Sequence, residues 1–167
     1  MTKYEKFFYK NIKLAQNMSK DVPNQFKHAS IITNNRFHIL SIGTNNGKTH
    51  TLTQKYNYNY PFVHSEVDAF SKLSYTDKQH YLFLFNYRFN KNGVIGISYP
   101  CKYCMAWVIT TFDKIFYSTD NGMKQLIWQI KIMCYNIFMP TWWKGKHIWL
   151  KTKRCKKLAG SNPVVGT

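Results

Sequence analysis

The sequence predicts an α/β domain built in layers, and three observations carry the prediction. Helical and extended patterns alternate along the chain. The extended runs are rich in β-branched and aromatic residues. With 167 residues, 44% hydrophobic and 17% aromatic, the chain is long and apolar enough for one domain with a sizeable core.

Residues 3–20 read as one amphipathic helix. Tyr4, Phe7, Phe8, Asn11, Leu14, Ala15 and Met18 recur at helical spacing between lysines. Thr2 and Glu5 have capping-box spacing, and Pro23 follows the expected end. Lys27–Thr33 and Arg36–Ile42 read as strands joined by Asn34-Asn35, a hairpin-prone pair. Residues 43–61 are polar and rich in Gly and Asn, and read as a long loop of the kind that often carries function. A short helix is expected over His64–Tyr75 and a strand over Tyr81–Phe89. Asn92-Gly93 forms a turn into a second extended run, Val94–Ser98. A helix is expected over Cys101–Thr111, a strand over Lys114–Ser118, and a final helix over Met123–Met139.

The chain divides by composition into a domain over residues 1–143 and a basic tail over 144–167. From Asn121 onward there are nine basic residues and no acidic one. The formal charge of +17 fits a nucleic-acid partner. It also fits an A/T-rich gene, because Lys outnumbers Arg 21 to 3, and few arginines disfavour bidentate phosphate or guanine readout. No stretch approaches the roughly 18 apolar residues of a membrane span, and no secretory signal is visible, so a cytoplasmic, intracellular protein without membrane contact is expected. Cysteines 101, 104, 134 and 155 then suggest metal or redox chemistry more than disulfides.

Two short motifs carry chemistry: His64-Ser65-Glu66 and Pro100-Cys101-Lys102-Tyr103-Cys104. Zn2+ takes imidazole and thiolate ligands in tetrahedral geometry, and three protein ligands leave a fourth position for water, as in catalytic sites. Cys101 and Cys104 lie one helical turn apart, so both sulfurs can face one metal. Pro100 suits a first helical turn, and the helix N-terminus favours thiolate. Glu66 has no ligand role; beside zinc-bound water it can take a proton and deliver it to a ring nitrogen. A zinc ribbon would need a second ligand pair, which Cys134 and Cys155 do not form. A thioredoxin-like pair would leave His64 and Glu66 unexplained. His28, His38, His50, His80 and His147 read as isolated packing or surface residues, and Cys134 as a core residue. Asn46-Gly47-Lys48-Thr49 holds only the end of a phosphate loop.

His-x-Glu followed by Pro-Cys-x-x-Cys is the zinc deaminase signature, and at these residues the chain resembles the cytidine and deoxycytidylate deaminase superfamily. The resemblance extends over the element order to about Met139. It implies a three-layer cytidine-deaminase-like domain, a mixed five-stranded sheet between helices, with zinc at the N-termini of two of them. It also implies that Asn45, in Gly43-Thr44-Asn45, contacts substrate and that the Ser65 backbone N–H meets the base carbonyl. Three features depart from the usual pattern: Ser65 for Ala, Asp68 for Asn, and Tyr99 for an acidic residue. The 33 residues between Glu66 and Pro100 are similar to the spacing in members from phages and large DNA viruses.

The expected activity is hydrolytic deamination of a cytosine nucleotide or nucleoside, dCMP or cytidine, by zinc-bound hydroxide attacking the amine-bearing carbon, with Glu66 as proton shuttle. Lys48 and Lys102 are candidates for holding a monophosphate. The alternative is a polynucleotide deaminase acting on cytosine in single-stranded DNA or RNA, or adenosine in tRNA. It would use Tyr56, Tyr58, Tyr60, Trp142, Trp143 and the basic tail for stacking and phosphate tracking. A third possibility is a binding or scaffold protein that keeps zinc for stability. Cytosine against adenine, and whether the chain forms a homo-oligomer, stay open at this level.

Overall fold

The computed structural model describes residues 1–22, 27–58 and 62–127. The expected first helix is two, α1 (Lys3–Lys10) and α2 (Ile12–Ser19). Thr2 and Glu5 form the expected capping box: Thr2 Oγ1 accepts the Glu5 N–H, and the Glu5 carboxylate accepts the Thr2 N–H at 2.6 Å. The break falls at Asn11, with φ −100° and ψ 5°. Its side-chain amide donates to Phe7 O at 2.8 Å, a local bond that competes with helix propagation. The apolar stripe survives the break, and Phe8 and Ala15 are fully buried.

The sheet is mixed and six-stranded: β1 (Lys27–Asn34), β2 (Ile39–Thr44), β3 (Leu82–Phe89), β4 (Ile95–Gly96), β5 (Lys114–Thr119) and β6 (Gly122–Gln125), in order β2-β1-β3-β5-β6 with β4 on β3. Only β3 and β5 run parallel. The sequence led to five strands and a helix from Met123. Instead Asp120-Asn121 close a tight hairpin, with Gly122 at φ +122°, and Met123–Gln125 pair antiparallel with β5. Asn121-Gly122 ends the strand as expected, but as part of a hairpin turn, so the chain returns as a strand and not as a helix. The remainder of that expected helix, with Cys134, His147, Trp142, Trp143 and the basic tail, lies outside the described residues, as does Tyr60. β2 starts at Ile39, three residues late. The Asn34 side chain accepts from the Arg36 and His38 N–H groups, and Phe37 takes a positive φ of 63°, so the turn is longer than the Asn-Asn pair. The long polar loop carries a short helix, α3 (Thr51–Lys55), capped by His50 Nδ1 accepting the Leu52 N–H at 3.1 Å.

Side-chain alternation gives the sheet two different faces. On one, Phe83, Phe85, Tyr87 and Phe89 of β3 pack with Ala29, Ile31 and Phe116 under α1 and α2. On the other, Ile32, Leu84 and Ile115 pack beneath α4 (Ser65–Ser71) and α5 (Lys102–Thr111). The second face changes character along the strands. Registered rows run from Ile32–Leu84–Ile115 through Ser30–Asn86–Tyr117 to His28–Arg88, from apolar to polar.

Helix α4 lies directly on β2. A Cβ on Gly43 would sit 2.7 Å from Ala69 Cα, and closer still to Ala69 N and Ser65 O, so only glycine permits this contact. Ser41 Oγ donates to Ala69 O at 2.8 Å, and the Thr44 N–H to Asp68 Oδ2 at 2.9 Å. The segment entering α5 is held by Ser98, whose Oγ donates to Asn86 O and accepts the Ser118 N–H, both at 2.8 Å. Among the described residues no helix is long and apolar enough to cross a membrane.

Candidate metal centre and proton-transfer site

Two helix N-termini bring the motif residues together. Val63 exchanges backbone bonds with the 46–48 loop, Asn46 N to Val63 O and Val63 N to Lys48 O, both 3.0 Å. These fix the chain just before His64, the N-cap residue of α4. Cys101 is the N-cap of α5, its Sγ accepting the Cys104 N–H at 3.4 Å. His64 Nδ1 stands 3.5 Å from both Cys101 Sγ and Cys104 Sγ, and the three ligand atoms lie within 4.8 Å of one another.

The donor set fits a metal ion. Around a tetrahedral zinc with Zn–S of about 2.3 Å and Zn–N of about 2.0 Å, sulfur and nitrogen ligands stand roughly 3.5 Å apart, the separation found here. His64, Cys101 and Cys104 could therefore hold a metal ion. Protonation is coupled across the cluster. The Cys104 thiol, helped by the His64 ring and the Cys104 N–H, holds Cys101 down to about 4. The same contact with Cys101, together with burial, pushes Cys104 up. Burial opposes a charged His64, but its bond to Cys101 and the charges of Glu66 and Cys101 outweigh this and raise it.

Glu66 is buried, 7% exposed, in the first turn of α4. Burial pushes its carboxyl above the usual carboxylate range, against the opposing pull of its own backbone N–H and of His64. Both oxygens have partners: Asn86 Nδ2 donates to Oε1 at 3.2 Å, and Ser65 Oγ lies 3.3 Å from Oε2. Ser30 Oγ closes the circuit, 2.8 Å from both Ser65 Oγ and Asn86 Oδ1. Ser65 Oγ donates to Glu66 Oε2, Asn86 Nδ2 donates to Oε1, and Ser30 Oγ donates toward Ser65 Oγ and Asn86 Oδ1. The circuit thus serves Glu66 as a hydrogen-bond acceptor, while burial favours its neutral form.

The structure places the other expected site residues variously. Ser65 is buried at the start of α4, whose first turn has no side-chain cap. Asn45 follows β2, its Oδ1 accepting the His28 N–H at 2.9 Å. Lys48 and Lys102 are both exposed, and Lys102 rests over the Tyr103 ring at 4.9 Å. Asp68 pairs with Lys72 at 2.7 Å as well as with Thr44. Tyr99 is half-exposed and edge-on to Tyr117. Tyr58, expected as an exposed stacking aromatic, is instead buried. It stacks on Tyr103 at 5.2 Å and meets the His64 ring edge-on at 4.9 Å, so the polar segment at Tyr58 lies against the cysteine helix. Tyr56 is half-buried beside it.

Sequence reasoning missed Ser30 and Asn86, and named Tyr58 and His28 without placing them at this site. Asn86 left a signal, a lone amide inside the aromatic run LFLFNYRF. His28, expected as a packing or surface residue, sits on the site face, close enough to His64 and Cys101 to feel their charges; burial, with Arg88 and His64, takes it down to about 4.

No protein-family model matches the chain, and no curated protein matches it in sequence. Among solved structures the chain is similar to the crystal structure of cytidine deaminase from Mycobacterium leprae, with a TM-score of 0.47 and 19% identity over 68% of this chain and 88% of that one.

Proposed function

We propose that this protein is a zinc-dependent hydrolytic deaminase of a free cytosine nucleotide or nucleoside. The observation that carries the proposal is the buried Glu66 carboxyl beside a three-residue ligand cluster. A structural zinc site has no use for a fourth acidic group that binds no metal, whereas a hydrolytic site needs a proton carrier there. His64, Cys101 and Cys104 would hold the zinc, which when bound supplies Lewis acidity and activates a water.

The chain's own residues do the rest. Glu66, as the carboxylate, takes a proton from the attacking water and delivers it to the ring nitrogen. It then takes the second proton, from the hydroxyl added at the amine-bearing carbon, and delivers it to the amine, which leaves as ammonia while the carbonyl forms. The Ser65–Ser30–Asn86 circuit holds the two Glu66 oxygens in position for both transfers. The Ser65 N–H, in the uncapped first turn of α4, would meet the base carbonyl, and Asn45, just after β2, would be a further substrate contact. The tyrosines over α5 shield the sulfurs from water, strengthening every charge inside.

The test is ammonia release by the zinc-loaded full chain on dCMP, cytidine and a single-stranded cytosine oligonucleotide. Turnover of dCMP or cytidine is expected. Glu66→Gln should retain zinc and lose on the order of 10²–10⁴-fold in kcat. A Glu66→Gln enzyme of normal rate would remove Glu66 from the chemistry, and turnover of the oligonucleotide alone would replace the free substrate with a polynucleotide.

A further inference from the structure

Tyr58 joins two hydrogen bonds whose direction can be deduced. Trp107 Nε1 lies 3.1 Å from Tyr58 Oη, and Tyr58 Oη lies 3.0 Å from Cys104 Sγ. An indole N–H can only donate, so the Tyr58 oxygen accepts from Trp107. The hydroxyl must spend its own hydrogen elsewhere. Among the described residues the one acceptor within reach is Cys104 Sγ. Donation therefore runs one way, from Trp107 N–H to Tyr58 O–H to the Cys104 sulfur. All three groups are buried, at 2% exposure for Trp107, 9% for Tyr58 and 0% for Cys104, so water does not compete.

On the metal centre proposed above, we propose that Trp107 and Tyr58 form a hydrogen-bond relay that orients the Cys104 thiolate and draws off part of its charge. The two sulfurs then differ in kind. Cys101 receives a backbone N–H from its own helix, a bond no side-chain substitution removes. Cys104 receives a phenol from the polar loop, 46 positions earlier in the chain, so the loop that folds over α5 also sets the donor strength of one ligand. Tyr58 further fixes the ring plane of His64 by its edge-on contact. It is a positioning residue that touches two of the three ligands and none of the reacting atoms. Partners of this kind typically hold about 10–100-fold in metal affinity.

The experiment loads the full chain with Co2+ in place of zinc and records the thiolate-to-cobalt charge-transfer absorption. Zinc affinity is measured separately by competition with a chromophoric chelator. Tyr58→Phe keeps the ring contacts and deletes only the donor. The unshielded sulfur lone pair rises in energy, so the band should move to longer wavelength, and zinc should be lost to the chelator about 10-fold more readily. Trp107→Phe should move the band in the same sense by less, and it decides the matter should Tyr58→Phe fail to fold. A folded Tyr58→Phe protein with the wild-type band and wild-type zinc affinity would overturn the relay, as would a Trp107→Phe band that does not move at all. Absence of the thiolate band in the wild-type protein would instead overturn the metal centre itself, which separates the two failures.

Discussion

The two faces of the central sheet are made from the same strands and do different work. Under α1 and α2, β3 presents Phe83, Phe85, Tyr87 and Phe89 in an unbroken aromatic row, with Phe85 stacked on Phe116 at 4.7 Å and Tyr87 on Phe8 at 4.4 Å. Under α4 and α5, the alternate residues begin apolar at Leu82 and Leu84 and turn polar at Asn86 and Arg88. The aromatic face can be exchanged for other apolar side chains of like volume with little consequence beyond stability. The mixed face spends buried polar groups on a hydrogen-bond circuit, each of which must find a partner. The proposed chemistry is thus confined to one end of one face, with the aromatic layer packed behind it.

The contrast can be broken first from the aromatic side. Phe85→Ala should cost about 3–5 kcal/mol in unfolding free energy, read as a lowered denaturation midpoint, with kcat per folded molecule unchanged. A fall in kcat would mean that the two faces are not independent. The next largest effect is one of pH. His28 titrates near 4 when folded and near its ordinary 6.5 when unfolded, so the unfolded chain binds more protons between those values. Stability is therefore full above about pH 6.5 and declines as pH falls toward 4, by up to about 3 kcal/mol at about 1.4 kcal/mol per unit. A cation in the neighbouring ligand cluster pushes His28 the same way. The difference between wild type and His28→Gln in denaturant midpoint should shrink across this window, and a constant difference would show that His28 is not held neutral. The smallest effect sharpens the contrast. Ser30→Ala opens the Glu66 circuit and should lower kcat about 10-fold, the rate equivalent of one hydrogen bond of about 1.4 kcal/mol, beside about 1–3 kcal/mol of stability lost to the orphaned Asn86 oxygen. An unchanged kcat per folded molecule would make Ser30 a packing residue.

Much of this organisation was legible in the sequence. The capping box at Thr2, the strands β1, β3 and β5, the two short helices of the site and the convergence of His64, Cys101 and Cys104 all follow from local patterns that tertiary contacts reinforce. Where expectation and structure part, a local competition decided it. The Asn11 amide split one helix into two, the Asn34 side chain lengthened a turn, and Asp120-Asn121 turned an expected helix start into β6. The residues around Glu66 were harder to see for a different reason. Ser30 and Asn86 lie 56 positions apart and become neighbours only through the β1–β3 register, which no single-strand pattern contains. Tyr58 stayed open because alternating tyrosines in a polar loop look the same whether they face water or pack on the domain.

The His64 ring lies 37 and 40 positions from the two sulfurs, and the whole of β3 intervenes. Closing a loop of that length costs entropy that local contacts cannot offset early in folding. The ligands can therefore meet only after β3 has docked between β1 and β5, so a metal that binds all three captures a sheet already formed. Metal added during refolding should leave the rate of folding alone and slow unfolding instead, as expected of an interaction absent from the transition state. Loading then acts as a late inspection step: a chain that has misregistered β3 has no complete cradle to fill.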